Sequence, residues 1–248
     1  KVFSNFLPVI ALEASETEAE AAVRSIEAAV NAVRSGEASA IVTNPVSKAR
    51  LYEIGFKFPG HTEFIAHLTE DLPMHGARGP VMMLSGGGLR TALVSIHTPL
   101  LTAIQTLTAE AVVKTAHVVR DALKRDFALA DPRLALAGLN PHAGENGALG
   151  REEIDILSPA IDQLRAEGVD IVGPLPPDTM FHEEARAGYD AAICLYHDQG
   201  LIPVKTLDFH GGVNITLGLP VIRTSPDHGT AFDIAGQGVA RPDSLIAA

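Results

Sequence analysis

Three of the ten histidines share a sequence context that would suit metal chemistry. His97, His142 and His197 each follow a short apolar stretch that predicts a buried strand. The carboxyl ends of neighbouring parallel strands meet at one edge of a sheet, so the three imidazoles would converge if their strands are neighbours. Three histidines with open coordination positions describe a catalytic divalent-metal site. The alternative, which stays open here, is that each is an ordinary hydrogen-bonded loop residue.

Two junctions between an extended segment and a helix are candidates for anion binding. Residues 43–48 read as a strand end followed by a helix start, where unpaired amides could meet an anion. The alternative is a plain turn with Ser47 as an N-cap. In residues 60–64, His61 and Thr62 could hydrogen-bond a ligand, or Thr62 could cap the helix and His61 lie on the surface.

Polar and small residues near the carboxyl end suggest further ligand contacts. Lys205, Asn214 and Arg223 would favour an anionic substrate if they face a crevice, and are otherwise solvated surface residues. Residues 227–238 are rich in small side chains without a G-x-G-x-x-G pattern, which predicts a tight loop that approaches a ligand closely. The glycines at 86–88 separate two short strands and predict a hairpin turn, not a phosphate cradle.

Alternating strands and helices must position these groups. Apolar periodicity predicts helices over 17–35, 108–127 and 152–167, the first with a capping box of Thr17 and Glu20. Buried strands are predicted over 38–43, 134–139 and 191–195, and a hairpin over 81–84 and 91–96. This order is typical of an α/β protein with a mostly parallel sheet covered by helices on both faces.

Composition excludes several classes of protein. The 248 residues are 46% hydrophobic and 20% charged, as in globular proteins, and the net charge of −11 argues against nucleic acid or anionic membranes as partners. The single cysteine excludes an internal disulfide and fits a reducing, cytoplasmic location. Residues 6–12 are too short for a convincing signal peptide. The start at Lys1 and the helical pattern at the last residues lead us to expect missing segments at both ends.

Five motifs occur in an order that resembles one enzyme family. They are Gly60-His61-Thr62-Glu63-Phe64, Leu139-Asn140-Pro141-His142-Ala143-Gly144-Glu145, Tyr196-His197-Asp198-Gln199-Gly200, Gly212-Val213-Asn214-Ile215-Thr216-Leu217-Gly218 and Asp227-His228-Gly229-Thr230-Ala231. Together they closely resemble the 4-hydroxythreonine-4-phosphate dehydrogenase (PdxA) family of vitamin B6 biosynthesis, over almost the whole chain.

The resemblance implies an architecture. It predicts a three-layer α/β/α, two-domain fold like that of isocitrate and isopropylmalate dehydrogenases, with a largely parallel mixed sheet and an active-site cleft between domains. Residues 1–58 and 208–248 would form a discontinuous cofactor-side domain, and residues 59–207 a domain for metal, substrate and dimerisation. The family's Gly-Asp-Pro-Ala-Gly motif has no counterpart in this sequence, so the cofactor-side domain is expected to be incomplete at its N-terminal side.

The resemblance also implies roles for single residues. The metal ligands would be His97, His142 and His197, whose spacings match the family. Substrate contacts would come from His61, Thr62, Lys205, Asn214 and Arg223. Lys205 and Asp178 are the catalytic candidates, for proton transfer or substrate orientation. The nicotinamide cofactor would be bound by His228, Gly229, Asp233 and Gly236.

The implied reaction is a metal-dependent, NAD- or NADP-linked oxidation of 4-phosphohydroxy-L-threonine, followed by decarboxylation to 3-amino-2-oxopropyl phosphate. Zinc is the preferred assignment for the metal, with magnesium, cobalt or manganese as alternatives. A homodimer with the active site at its interface is expected. Two alternatives remain: a related dehydrogenase of 4-phospho-D-threonate, 4-phospho-D-erythronate or a cis-dihydrodiol, and a truncated metal-binding remnant without catalysis.

Overall fold

One eight-stranded mixed sheet organises the chain. The computed structural model describes residues 17–248, so the apolar stretch 6–12 lies outside the described residues. The strands are β1 (Ala40–Val42), β2 (Val81–Gly86), β3 (Leu89–Leu93), β4 (Leu134–Ala137), β5 (Ile171–Leu175), β6 (Ala191–Cys194), β7 (Val213–Leu217) and β8 (Ile222–Pro226). Their order is β1-β8-β7-β2-β3-β6-β4-β5. The pairs β1–β8, β3–β6, β4–β6 and β4–β5 are parallel and the other three are antiparallel, which confirms the mixed α/β prediction.

Helices cover the two faces of this sheet. They are α1 (Glu18–Arg34), α2 (Lys48–Glu53), α3 (His61–Leu68), α4 (Leu100–Gln105), α5 (Ala109–Asp126), α6 (Ser158–Ala166), α7 (Pro177–Met180), α8 (Glu183–Arg186), α9 (His197–Leu207) and α10 (Asp243–Ala247). The capping box predicted for the first helix is confirmed, since Thr17 and Glu20 hydrogen-bond each other's backbone N–H.

The two strands β4 and β6 are buried, as their apolar sequences predict. Every residue of β4 and β6 is buried, because helices cover both faces at this point. On one face α5 and α6 close a large apolar cluster that includes Val119, Leu136 and Ile161. On the other face, Leu201 and Val204 of α9 close a second cluster.

The predicted hairpin is confirmed. Strands β2 and β3 pair antiparallel from Met83–Ala92 to Gly86–Leu89. The two linking glycines have φ of 57° for Gly87 and 77° for Gly88. Both central positions of such a turn need positive φ, which glycine adopts without a Cβ clash.

The helix predicted over 152–167 divides into two parts. A π-helical turn covers Glu153–Leu157, and the α-helix proper begins at Ser158. Pro159 lies in the first turn of α6 and has no N–H for an intrahelical bond, which explains why regular α-helix starts there.

A third apolar cluster joins the first helix to the end of the sheet. Ile26 and Val30 of α1 pack with Ile41 of β1 and with Phe64 and Ile65 of α3. The predicted division at residues 58 and 208 stays a prediction; one continuous sheet runs through both parts. No helix within residues 17–248 is long and apolar enough to cross a membrane.

Candidate active site

A cleft of about 1020 Å³ collects most of the predicted site residues. It lies between the loops after β1 and β3, the first turn of α3, one face of α9, and strands β7 and β8. The predicted residues that line it are His61, Thr62, His97, His197, Lys205, Asn214, Arg223, His228 and Gly229. Residues far apart in sequence therefore share one polar cleft.

Arg223 is a buried cation that makes no hydrogen bond to a carboxylate of residues 17–248. Arg223 is 2% exposed. The guanidinium donates to Thr216 Oγ1 at 2.8 Å and to Thr43 Oγ1 at 2.7 Å. A longer contact of 3.4 Å reaches Thr62 Oγ1, and Nε has no hydrogen-bond partner among residues 17–248. Burial lowers the pKa of Arg223 to about 10, and the charge of Glu63 acts through space in the opposite direction. The group is charged at neutral pH and lines the cleft.

His61 contacts this guanidinium through its Nε2 atom. Burial, then the charge of Arg223, then that of Lys48, lower the pKa of His61 to about 4. The imidazole is therefore neutral at pH 7 and accepts a hydrogen bond from Arg223. Helix α3 starts at His61 with Gly60 as its N-cap, so the alternative in which Thr62 caps the helix and His61 is a surface residue is wrong.

The other candidate for anion binding was the junction at residues 43–48, before helix α2. The structure agrees only in part with the alternative of a plain turn capped by Ser47. Ser47 is the N-cap of α2, but its side chain makes no capping hydrogen bond. Asn44, Ser47 and Lys48 instead line the cleft.

Lys205 projects from α9 and pairs with Asp227 after β8. The Lys205 Nζ to Asp227 Oδ2 distance is 2.8 Å. Ser244 of α10 secures this arrangement, because its Oγ accepts from the Asp227 N–H at 2.9 Å and donates to the Gly212 carbonyl at 2.5 Å. The ammonium is thus fixed at one wall of the cleft.

Two of the three candidate metal ligands are neighbours. The ring centroids of His97 and His197 are 5.5 Å apart. Burial lowers the pKa of His97, with smaller contributions from Lys48 and His197, and this keeps the ring available as a neutral ligand. His197 Nδ1 lies 2.7 Å from Asp198 Oδ1, a partner that orients the ring.

His142 does not join this pair within one chain. Strands β3, β6 and β4 are neighbours as required, yet residues 17–248 contain no group of three or more His, Cys, Asp or Glu side chains arranged for a metal ion. The loop after β4 is coiled into left-handed conformations and packs against β5 and α7, at the outer edge of the sheet. His142 is exposed there. Residues 17–248 of one chain therefore do not bring the three imidazoles together, and their assignment as metal ligands stays a prediction.

Asp178 also lies outside the cleft. It occupies the start of α7 after β5 and is exposed. Since α7 contacts the loop of His142, both side chains belong to the same outer edge.

A second cavity of about 490 Å³ adjoins the cleft and is the candidate cofactor pocket. It shares His228 and Gly229 with the cleft and includes Gly236. Asp233 does not line it; its carbonyl accepts from Gln237 Nε2 at 2.6 Å.

Sequence reasoning missed the residues that support the predicted ones. Thr43 and Thr216 hold Arg223, and Gln199 joins the Leu195 N–H to the Gly138 carbonyl with two bonds of 2.7 Å. For Thr43 the available signal was a polar residue at the end of the strand predicted over 38–43, because a buried polar group needs specific partners.

Comparisons with known proteins identify the family of the chain. Residues 4–248 match the family described as "Pyridoxal phosphate biosynthetic protein PdxA". The chain is 67% identical over 224 residues to a 4-hydroxythreonine-4-phosphate dehydrogenase of Maricaulis maris, covering 90% of this chain and 66% of that relative.

Solved structures give the same result. A 4-hydroxythreonine-4-phosphate dehydrogenase from Klebsiella pneumoniae superposes with a TM-score of 0.83 at 42% identity, covering 95% of this chain and 71% of that one. A terephthalate 1,2-cis-dihydrodioldehydrogenase from Burkholderia xenovorans gives a TM-score of 0.68 at 33% identity, covering 97% and 75%. The resemblance stated from the motifs is confirmed: the chain belongs to the PdxA family of pyridoxal phosphate biosynthetic proteins, whose named relatives are dehydrogenases.

Proposed function

We propose that this chain oxidises 4-phosphohydroxy-L-threonine with NAD or NADP, and that the product then loses CO₂ to give 3-amino-2-oxopropyl phosphate. The observation that carries the proposal is a polar cleft in which three cations face three carboxylates, Glu63, Asp198 and Asp227, while the buried guanidinium of Arg223 makes no hydrogen bond to a carboxylate of residues 17–248. Arg223, Lys48 and Lys205 line one cavity together with the paired rings of His97 and His197. An anionic substrate and a reacting hydroxyl would both find partners there.

Arg223 would bind an anionic group of the substrate. It has no carboxylate hydrogen-bond partner in residues 17–248, and its hydroxyl partners orient the guanidinium without neutralising its charge. His61 and Thr62 lie at the same end, and Asn214 offers an uncharged amide beside them. Lys205, held by Asp227, would orient the substrate or move a proton at the reacting oxygen.

A divalent ion would be held by His97 and His197, whose neighbouring rings offer two nitrogen donors at the wall of the cleft. We assign the third ligand to His142 of a second copy of the chain. His142 and Asp178 are exposed on one edge of the sheet, so docking of that edge would bring both to the cleft of a partner. The proposed assembly is a homodimer with shared active sites, with zinc as the first choice of metal.

The cofactor would occupy the 490 Å³ cavity beside the cleft, with His228, Gly229 and Gly236 at its wall. When bound, the nicotinamide accepts a hydride and the metal ion polarises the oxygen of the reacting alcohol. The residues that line the cleft would hold the substrate between these two groups. A reducing cytoplasm suits the buried, unpaired Cys194.

The test is NADH or NADPH formation with four substrates, each with added zinc and with EDTA. The substrates are 4-phosphohydroxy-L-threonine, 4-phospho-D-threonate, 4-phospho-D-erythronate and a phosphate-free cis-dihydrodiol. We expect metal-dependent turnover of the first. Preference for either phosphorylated sugar acid or for the diol would replace the substrate assignment. Metal and cofactor binding without turnover of any substrate would support the non-catalytic alternative.

His97→Ala provides the matching variant, with exposed His67→Ala as control. Loss of turnover in the first and normal turnover in the second are expected. Equal activities would overturn the role of His97.

A further inference from the structure

The loop that carries His142 has an unusual backbone. Residues 142–146 all have positive φ, between 43° and 82°, and only Gly144 among them is a glycine. L-residues rarely adopt this region, because the Cβ approaches the carbonyl oxygen of its own peptide. A run of five such residues persists only where the surroundings determine it.

The carboxylate of Glu153 is the group around which this loop is built. Its Oε1 accepts hydrogen bonds from the backbone N–H of Leu139 at 2.8 Å and of Asn140 at 2.7 Å. Its Oε2 accepts from Asn140 Nδ2 at 2.9 Å. These amides lie just past β4, where the ladder has ended, so Glu153 fixes the direction in which the chain leaves the sheet.

The loop packs directly on this carboxylate. A Cβ placed on Gly144 would lie 2.6 Å from Glu153 Oε2, too close for any side chain. A Cβ on Gly150 would lie 2.4 Å from Asn140 Nδ2. Both glycines also have positive φ, of 82° and 134°. The loop, Asn140 and Glu153 therefore form one closely packed unit.

Glu153 carries a carboxyl group, yet it is buried as deeply as the residues of the apolar core. It is 3% exposed, and its hydrogen-bond donors within residues 17–248 are neutral amides. An apolar side chain would fill the same space without the cost of desolvating a carboxylate. The advantage of the carboxylate is geometric, because it fixes three N–H groups at once.

We propose that Glu153 is a positioning residue that holds the loop 141–147 in its left-handed form and so presents His142 to the metal ion of a partner subunit. The second half of this inference rests on the proposed function, in which His142 is a metal ligand. Glu153 itself touches neither metal nor substrate.

The test compares Glu153→Gln with Asp155→Asn in the full-length assembly. Gln keeps the size of the side chain but places an NH₂ group against donors. Asp155 lies two residues after Glu153, is exposed, and among residues 17–248 pairs with Arg151, so its variant removes the same charge without removing a hydrogen bond to the loop. Two quantities are measured: amide hydrogen exchange at residues 139–147 without metal, and zinc affinity by calorimetry.

Glu153→Gln is expected to accelerate exchange in the loop and to weaken zinc binding about 10- to 100-fold. NAD affinity should stay at the wild-type value, which a general loss of structure would not allow. Asp155→Asn should change none of the three. Wild-type exchange or wild-type zinc affinity in Glu153→Gln would overturn the proposal.

Two further variants keep the test decisive. If Glu153→Gln fails to fold, Gly144→Ala displaces the loop from the other side, and an unchanged zinc affinity would then overturn the proposal. His142→Ala separates the two hypotheses. Weak zinc binding in His142→Ala with normal binding in Glu153→Gln refutes the positioning role alone, whereas normal zinc binding in His142→Ala refutes the ligand assignment under the proposed function.

Discussion

Arg223 shows how a single residue combines burial with an available charge. Two threonine hydroxyls and a neutral imidazole hold its guanidinium, and none of them carries a negative charge. An ammonium has neither the planar fork nor the reach to replace these bonds. Arg223→Lys is therefore expected to raise KM for the phosphorylated substrate about 10- to 100-fold, the equivalent of one charged hydrogen bond.

Steady-state kinetics checks this prediction, with Arg151→Lys as the matched control. Arg151 forms an exposed pair with Asp155 on the same chain, so its replacement should leave KM unchanged. A wild-type KM in Arg223→Lys would contradict the assignment of Arg223 to anion binding.

His61 gives the site a dependence on pH. Its folded-state pKa is about 4, mainly through burial, whereas the unfolded chain has the ordinary value near 6.5. Between these values the unfolded state binds the additional proton, so the free energy of unfolding decreases as the pH falls from 6.5 towards 4. Replacing His61 by Gln should make that decrease shallower.

Urea denaturation at pH 4.5 and pH 7 measures the effect. His97 also has a lowered pKa, so part of the slope remains in the variant. An identical pH dependence in His61→Gln and wild type would show that the buried imidazole does not titrate as described.

Helix α9 is the element that carries most of the chemistry. It presents His197 at its first turn and Lys205 two turns later, both towards the cleft. The helix lies close to β3 because Gly200 has no side chain. A Cβ there would meet Leu93 Cδ2 at 2.5 Å, and the Gly200 carbonyl accepts from Thr91 Oγ1 at 2.9 Å.

Gly200→Ala is expected to push α9 away from the sheet and to reduce the free energy of unfolding by about 1–3 kcal/mol. Turnover should fall as well, because His197 and Lys205 move together with the helix. Thermal unfolding and kinetics check both effects. Gly188→Ala, at an exposed glycine of ordinary φ, should have a much smaller effect. Equal losses in the two variants would refute close packing as the cause.

The elements could be predicted from the sequence more completely than the site. Helix α1 and the hairpin have local causes, a capping box and two glycines, which the sequence displays directly. The position of His142 depends on the left-handed loop after β4, and that loop depends on Glu153, eleven residues later. The hydroxyl partners of Arg223 likewise come from the residue after β1 and from β7, so only the folded sheet brings them together.

At the scale of the whole molecule, the arrangement of side chains favours active sites made by two chains. One edge of the sheet presents His142 and Asp178, and the cleft presents His97 and His197, without a complete metal site within residues 17–248. Docking of the edge of each chain on the cleft of the other would complete two equivalent sites, as expected for an interface with twofold symmetry.

Complementation between two inactive variants tests this assembly. His97→Ala and His142→Ala should each be inactive, because every site of either homodimer lacks one ligand. A heterodimer of the two has one site with both residues replaced and one site with both intact. After co-refolding of equal amounts, half of the dimers are mixed, so activity should return to about a quarter of the wild-type value. Zinc bound per dimer should rise in parallel. If His142 served the cleft of its own chain, every site in the mixture would still lack a ligand, and no activity would return.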